Sequence, residues 1–96
     1  MSVYCIMDVD IHDLEQYGEY MARAKPLIEA AGGRYLARGG EHKVLEGDWQ
    51  PHRLVIVEFP SAAVADAFYN SDDYQAAKAI RLGCSSTRVF TVESID

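Results

Sequence analysis

No run of apolar residues in this chain of 96 approaches the roughly 20 that a membrane-spanning helix needs. The N-terminus also lacks the basic-then-apolar layout of a signal peptide. Both absences point to a cytoplasmic protein with no membrane partner. Basic residues are scarce, 9 lysines and arginines against 15 aspartates and glutamates, for a net charge of −6. They are scattered along the chain, so a phosphate backbone would be repelled and nucleic acid is not expected as a partner. Cysteine is limited to Cys5 and Cys84, which form no CxxC motif and read as two reduced thiols. His12, His42 and His52 show no HxH or HxxxH spacing. Neither a metal site nor a haem ligand emerges, and no cofactor is expected. Ser85-Ser86 lacks a G-x-S-x-G elbow, and the glycine pairs do not spell a phosphate loop.

What the chain does have is a regular alternation of patterns. Its length suits one domain, residues 1–96, with a core that buries only about 60–65% of the potential surface, so a partner subunit would add useful burial. Val3, Cys5, Met7 and Val9 alternate with Tyr4, Ile6, Asp8 and Asp10, the period of a strand. Asp13 then caps a helix, with Gln16 in the capping-box position. Leu14, Tyr17, Met21, Ala24, Ile28 and Ala31 form its apolar face. Pro26 falls inside this helix and predicts a kink or short break near Arg23 to Lys25. The pairs Gly32-Gly33 and Gly39-Gly40 bracket a short strand, Arg34 to Arg38.

Lys43 to Glu46 either returns beside that strand as a hairpin or continues along the edge. The loop Asp48-Trp49-Gln50-Pro51-His52 follows, then a strand from Leu54 to Phe59. Ser61 caps a helix over Ala62 to Tyr69. Ser71 caps a second helical piece running to about Leu82, with Asp72 and Asp73 at the positive end of its dipole. Thr87 to Ile95 alternates again as a final strand. The order strand, helix, strand, strand, helix, strand predicts an α+β fold, the ferredoxin-like βαββαβ arrangement with both helices on one face of an antiparallel sheet.

Val3/Cys5/Met7/Val9, Tyr35/Ala37 and Val55/Val57/Phe59 suit the helix side of that sheet. The opposite register mixes Tyr4, Ile6, Leu36, Leu54, Ile56, Phe90 and Val92 with Asp8, Arg34, Arg38, Glu58 and Arg88. It is too apolar to leave in water and too charged for an ordinary core, and two such sheets facing each other in a homodimer would solve both problems. In this register Arg38 is placed to hold an anionic ligand by charge-assisted hydrogen bonds. Equally, Arg38, Glu58 and Asp8 can satisfy one another as an internal ion pair. His42 and Glu58 are the acid/base candidates, His52 flanks the same loop, and Trp49, Tyr4 and Phe90 would shape an apolar wall. Trp49 serves as well to anchor its loop against a partner subunit. Phe68, Tyr69 and Tyr74, like Tyr17 and Tyr20, read as core aromatics.

Four blocks carry a family resemblance: Gly32 to Gly40, Leu45-Glu46-Gly47-Asp48-Trp49, Val57-Glu58-Phe59-Pro60-Ser61, and Ala67-Phe68-Tyr69-Asn70-Ser71-Asp72-Asp73-Tyr74-Gln75. Their order and spacing resemble the small bacterial domain-of-unknown-function family 1330. Phe68 stands where that family often carries tryptophan. The resemblance implies membership of the dimeric α/β-barrel superfamily, in which two ferredoxin-like protomers pack sheet to sheet. That superfamily includes cofactor-free monooxygenases, isomerases, haem enzymes and stress proteins with no known reaction. The expected function is therefore binding of a small anionic or phenolic organic molecule in a cleft between sheet and helices, with cofactor-independent proton-transfer or oxygenation chemistry open to it. The alternative is a non-catalytic dimerisation or interaction domain whose sheet-face charges only pair with each other.

Overall fold

Alternation of apolar side chains over Val3–Ile11 makes β1, the strand on which the rest of the molecule is built. The computed structural model describes residues 1–96. After β1 come α1 (Leu14–Ala30), β2 (Arg34–Arg38), β3 (Arg53–Phe59), α2 (Ala62–Tyr69), α3 (Asp72–Cys84) and β4 (Ser85–Glu93). β1 pairs antiparallel with β3 on one side and β4 on the other, and β2 pairs antiparallel with β3, giving the order β2-β3-β1-β4. This is the ferredoxin-like α+β fold, with its second helix divided into α2 and α3.

Cross-strand pairs Val3 with Phe59, Cys5 with Val57 and Met7 with Val55 form the helix-facing side of the sheet. Tyr17, Tyr20, Ala24 and Ile28 of α1 and Tyr74, Ala77 and Cys84 of α3 close over them. Burying a side chain such as Val57 or Phe59 contributes about 1.5–3 kcal/mol. The molecule is only 17 Å thick, room for one sheet and one layer of helices about 10 Å across. The other sheet face is left without a protein layer.

The termini of the elements follow their chemistry. The Asp13 carboxylate accepts from the Gln16 N–H at 3.1 Å, but the Gln16 side chain donates to the Ile80 carbonyl instead of closing a reciprocal capping box. α1 ends in a Schellman turn, with Gly33 N–H on Ile28 O at 2.8 Å and Gly32 N–H on Glu29 O at 3.0 Å, and Gly32 takes the required positive φ of 81°. Ser61 and Ser71 both accept from the N–H three residues on.

Five expectations need correction. Leu14 is 69% exposed, because α1 reaches the sheet only from Tyr17 onward. α1 runs unbroken through Pro26, whose neighbour Ala22 is exposed, so water can take the carbonyl that loses its donor. Lys43 to Glu46 forms no strand; residues 40–52 are irregular throughout. β4 begins at Ser85, directly from α3, because His12 and Asp13 N–H groups hold the Cys84 carbonyl and Ser85 Oγ donates to Arg81 O at 2.6 Å.

The fifth correction has the largest effect on function. β2 carries a bulge: Tyr35 opposes Val57 and Ala37 opposes Ile56, so Leu36 has no partner. Directly opposed residues share a sheet face, and one extra residue flips everything after it. Ala37 therefore joins Ile56 on the uncovered face, while Arg38 joins Val55 on the helix side.

Candidate functional site

The interruption between α2 and α3 opens a cleft against the helix-facing side of the sheet. Ser71 Oγ donates to Phe68 O at 2.7 Å and accepts from Tyr74 N–H at 3.2 Å, ending one helix and starting the next on a single side chain. The turn gathers aromatic rings: Phe68 and Tyr74 lie 4.5 Å apart between centroids, Tyr69 and Tyr74 5.5 Å. Beneath them is a cavity of about 320 Å³, with Cys5, Met7, Val57 and Phe59 as its floor and Tyr20, Ala65, Phe68 and Tyr74 among its walls. Of its 14 lining residues, 12 are hydrophobic, so a ligand here must present a largely apolar body.

A buried polar group lies beside this cleft, two of whose lining residues, Tyr20 and Tyr74, take part in it. The Tyr20 and Tyr74 hydroxyls are 2.9 Å apart and buried, and Arg81 Nη2 donates to the Tyr74 hydroxyl at 3.4 Å. Arg81 is only 2% exposed. It forms no ion pair with any carboxylate, and its Nε has no hydrogen-bond partner. Its guanidinium sits 5.5 Å from the centre of the Tyr20 ring, a cation–π contact that offsets part of the desolvation cost. Burial pulls the Arg81 pKa down, the Tyr74 and Tyr20 oxygens push it up, and the net movement is upward, so the group stays charged. Burial, reinforced by Tyr74, pushes the Tyr20 phenol well above its ordinary value. Burial also raises the Cys5 thiol, partly countered by Arg81.

A second, polar recess of about 400 Å³ lies at one end of the uncovered sheet face, bordered by Asp8, Asp10, Trp49, Gln50, His52, Ser86, Thr87 and Arg88. Asp8 is 7% exposed because the loop of residues 40–52 folds back over it. Trp49 Nε1 donates to Asp8 Oδ2 at 3.2 Å and the His52 N–H donates to Oδ1 at 2.8 Å. The His52 ring lies between Asp8 and Asp10, with Nε2 3.7 Å from Asp10 Oδ2. No group of three or more His, Cys, Asp or Glu side chains is placed to hold a metal ion.

The residues singled out from the sequence are dispersed. Arg38 lies on the helix side with its guanidinium 4.7 Å from the Tyr35 ring centre and pairs with neither Glu58 nor Asp8. Glu58 is held through both oxygens, by Arg34 Nη2 at 2.8 Å and by Ser2 Oγ at 3.1 Å. His42 is exposed, with Nε2 2.9 Å from the Pro51 carbonyl, and ties the loop to itself. Trp49 joins His52 on Asp8. Tyr4 is on the uncovered face opposite Glu58 and Val92. Phe90 pairs with Ile6 on that face and is the one of the six that also borders the cleft. Arg81 and the Tyr20 hydroxyl were not singled out. The available signal is spacing: Tyr74, Ala77, Arg81 and Cys84 form the buried stripe of α3, and an arginine in such a stripe points into a core.

The sequence profile of DUF1330, a domain of unknown function, matches residues 2–95. The chain belongs to the DUF1330 family. No functionally curated protein matches it in sequence. Its fold is similar to that of a Rhodopseudomonas palustris protein of unknown function, with 19% identity and a TM-score of 0.81 over 99% of this chain and 83% of the other. A dimeric ferredoxin-like protein of unknown function from Jannaschia sp. CCS1 is 15% identical, with a TM-score of 0.74 over 98% and 100% of the two chains. SnoaB, a cofactor-independent oxygenase from Streptomyces nogalater, is 9% identical, with a TM-score of 0.72 over 99% and 94%. This DUF1330 chain shares their architecture, and no helix in it is long and apolar enough to cross a membrane.

Proposed function

We propose that this DUF1330 protein is a homodimeric α/β barrel that binds a small anionic or phenolic organic molecule in the cleft between sheet and helices of each protomer. The observation that carries the reading is the 320 Å³ apolar cavity lined in part by Tyr20 and Tyr74, whose hydroxyls are paired, a volume within the roughly 300–1,000 Å³ usual for small-molecule sites. An apolar body fills the aromatic walls and an oxygen meets Tyr20 and Tyr74. Cofactor-independent proton transfer or oxygenation is the chemistry proposed for this cleft, the oxygenase class being the one named for SnoaB. Dimerisation draws support from the uncovered sheet face, where Phe90 is 49% exposed and Val92 and Leu36 are similarly open. The Jannaschia protein, described as dimeric, supports the same assembly.

Calorimetric titration with 1-naphthol tests the ligand reading. The expected result is saturable binding of one molecule per protomer, lost in Ala65→Phe, which fills the cavity from α2, with the dimer mass unchanged. Arg38→Ala, which does not line the cleft and is exposed, should leave binding within about twofold of wild type. Absence of saturable binding to the wild type rejects the reading. The second reading, a non-catalytic dimerisation domain, rests on the Arg34–Glu58 pair, which satisfies the uncovered face without a ligand.

A further inference from the structure

A buried arginine without a carboxylate needs an explanation, because leaving a charge uncompensated in a core costs several kcal/mol. Arg81 has such surroundings: α3 carries it into the core, and the groups facing it from other elements are Cys5 on β1 and Tyr17 and Tyr20 on α1. All three are neutral near pH 7. The one acid bordering the cleft is Asp66 on α2, which is exposed at the rim and forms no ion pair.

The hydroxyl accounting points the same way. Tyr20 and Tyr74 together own two O–H protons, and one of these is used in the hydrogen bond between them. The Arg81 guanidinium donates to the Tyr74 oxygen and accepts nothing. The second hydroxyl proton therefore has no acceptor in the protein, although both phenols line the cleft. A buried donor left unmade costs about 1–3 kcal/mol, and with the Arg81 Nε–H also unpartnered this group is short of two acceptors and one negative charge.

We infer that Arg81, Tyr74 and Tyr20 form an oxyanion-binding site that holds the ligand's ionised oxygen, a phenolate or enolate, with Arg81 acting through the phenol pair. This rests on the cleft being the ligand site. The ligand class narrows accordingly to planar weak acids with one ionisable oxygen at the edge of a largely apolar ring system. A neutral ether or hydrocarbon of the same shape fits the walls but leaves the donor unmet. When a phenol enters, its proton goes to solvent and the oxygen takes the free hydroxyl bond.

The test uses two probes, 4-nitrophenol, whose phenolate is coloured, and 4-nitroanisole, which has the same body and no ionisable oxygen. Wild-type protein should bind the phenolate at least about tenfold more tightly than the phenol, read as a fall of about one unit in the pKa of the bound dye. Arg81→Met keeps a long apolar side chain and should abolish that preference, with 4-nitroanisole binding reporting that the cleft is still formed. Tyr74→Phe keeps the charge, removes the hydroxyl and should reduce the preference as well. If both dyes bind the wild type and the phenol shows no shift, the oxyanion inference is overturned and the cleft reading survives. Full preference in Tyr74→Phe overturns it also. If neither dye binds the wild type, the cleft itself is not the ligand site.

Discussion

Arg81 and Arg38 are the same residue in opposite surroundings, one sealed beneath two phenols and the other lying across Tyr35 in solvent. The register of Arg38 was misread from the sequence because period-two alternation says nothing about an extra residue, and the Leu36 bulge is fixed only when β2 pairs with β3. Arg81, by contrast, sits at helical spacing with Tyr74, Ala77 and Cys84, a signal present in the sequence that the reading of this segment did not use. Buried protons at this scale also set the behaviour in alkali. Cys5, Tyr17 and Tyr20 all have their pKa raised above ordinary values of 9.0 and 10.0, mainly by burial. The folded state thus holds protons that the unfolded chain releases. This stabilisation is fully present below those ordinary values and is lost progressively as the pH rises above them through the raised folded-state values. Melting temperatures should be flat up to about pH 8.5 and fall steeply above about pH 10, with Tyr20→Phe flattening the fall.

Elements were the most readable level. Asp13, Ser61 and Ser71 announce three helix starts, and the Gly32-Gly33 pair announces the one Schellman stop. Each is a local backbone requirement that the sequence must meet within four residues. The segment over residues 40–52 was not readable, since its path is decided by where Trp49 and His52 find the Asp8 carboxylate, 41 and 44 positions away. Pro26 shows the reverse case, a local signal overruled by packing: Ala24 and Ile28 bury on either side of it and hold α1 straight through the missing hydrogen bond. Pro26 itself is exposed. Pro26→Ala should therefore restore one helix bond at no packing cost and raise stability by about 1–3 kcal/mol, measured as a higher urea midpoint with unchanged slope.

For the whole molecule, the arrangement βαββαβ and the presence of one uncovered sheet face follow from alternation alone, whereas the cleft does not, because it depends on how α2 and α3 diverge at Ser71. The face has Ile6 and Ile56 at its centre, directly opposed on β1 and β3. In the proposed homodimer, Ile56→Lys should place a charge against the partner sheet and shift the sedimenting species from dimer to monomer, leaving the protomer's helix content intact. The two recesses lie on opposite faces of the sheet, and only one contains an indole. Trp49 is the sole tryptophan, so light absorbed by tryptophan alone reports one clasp, that of the loop on Asp8. A ligand without absorbance of its own near the tryptophan emission should shift that emission on entering beside Asp8 and leave it unchanged on binding beneath α2 and α3. The protein thus carries its own colour-coded address label, distinguishing its two sides before any residue is changed.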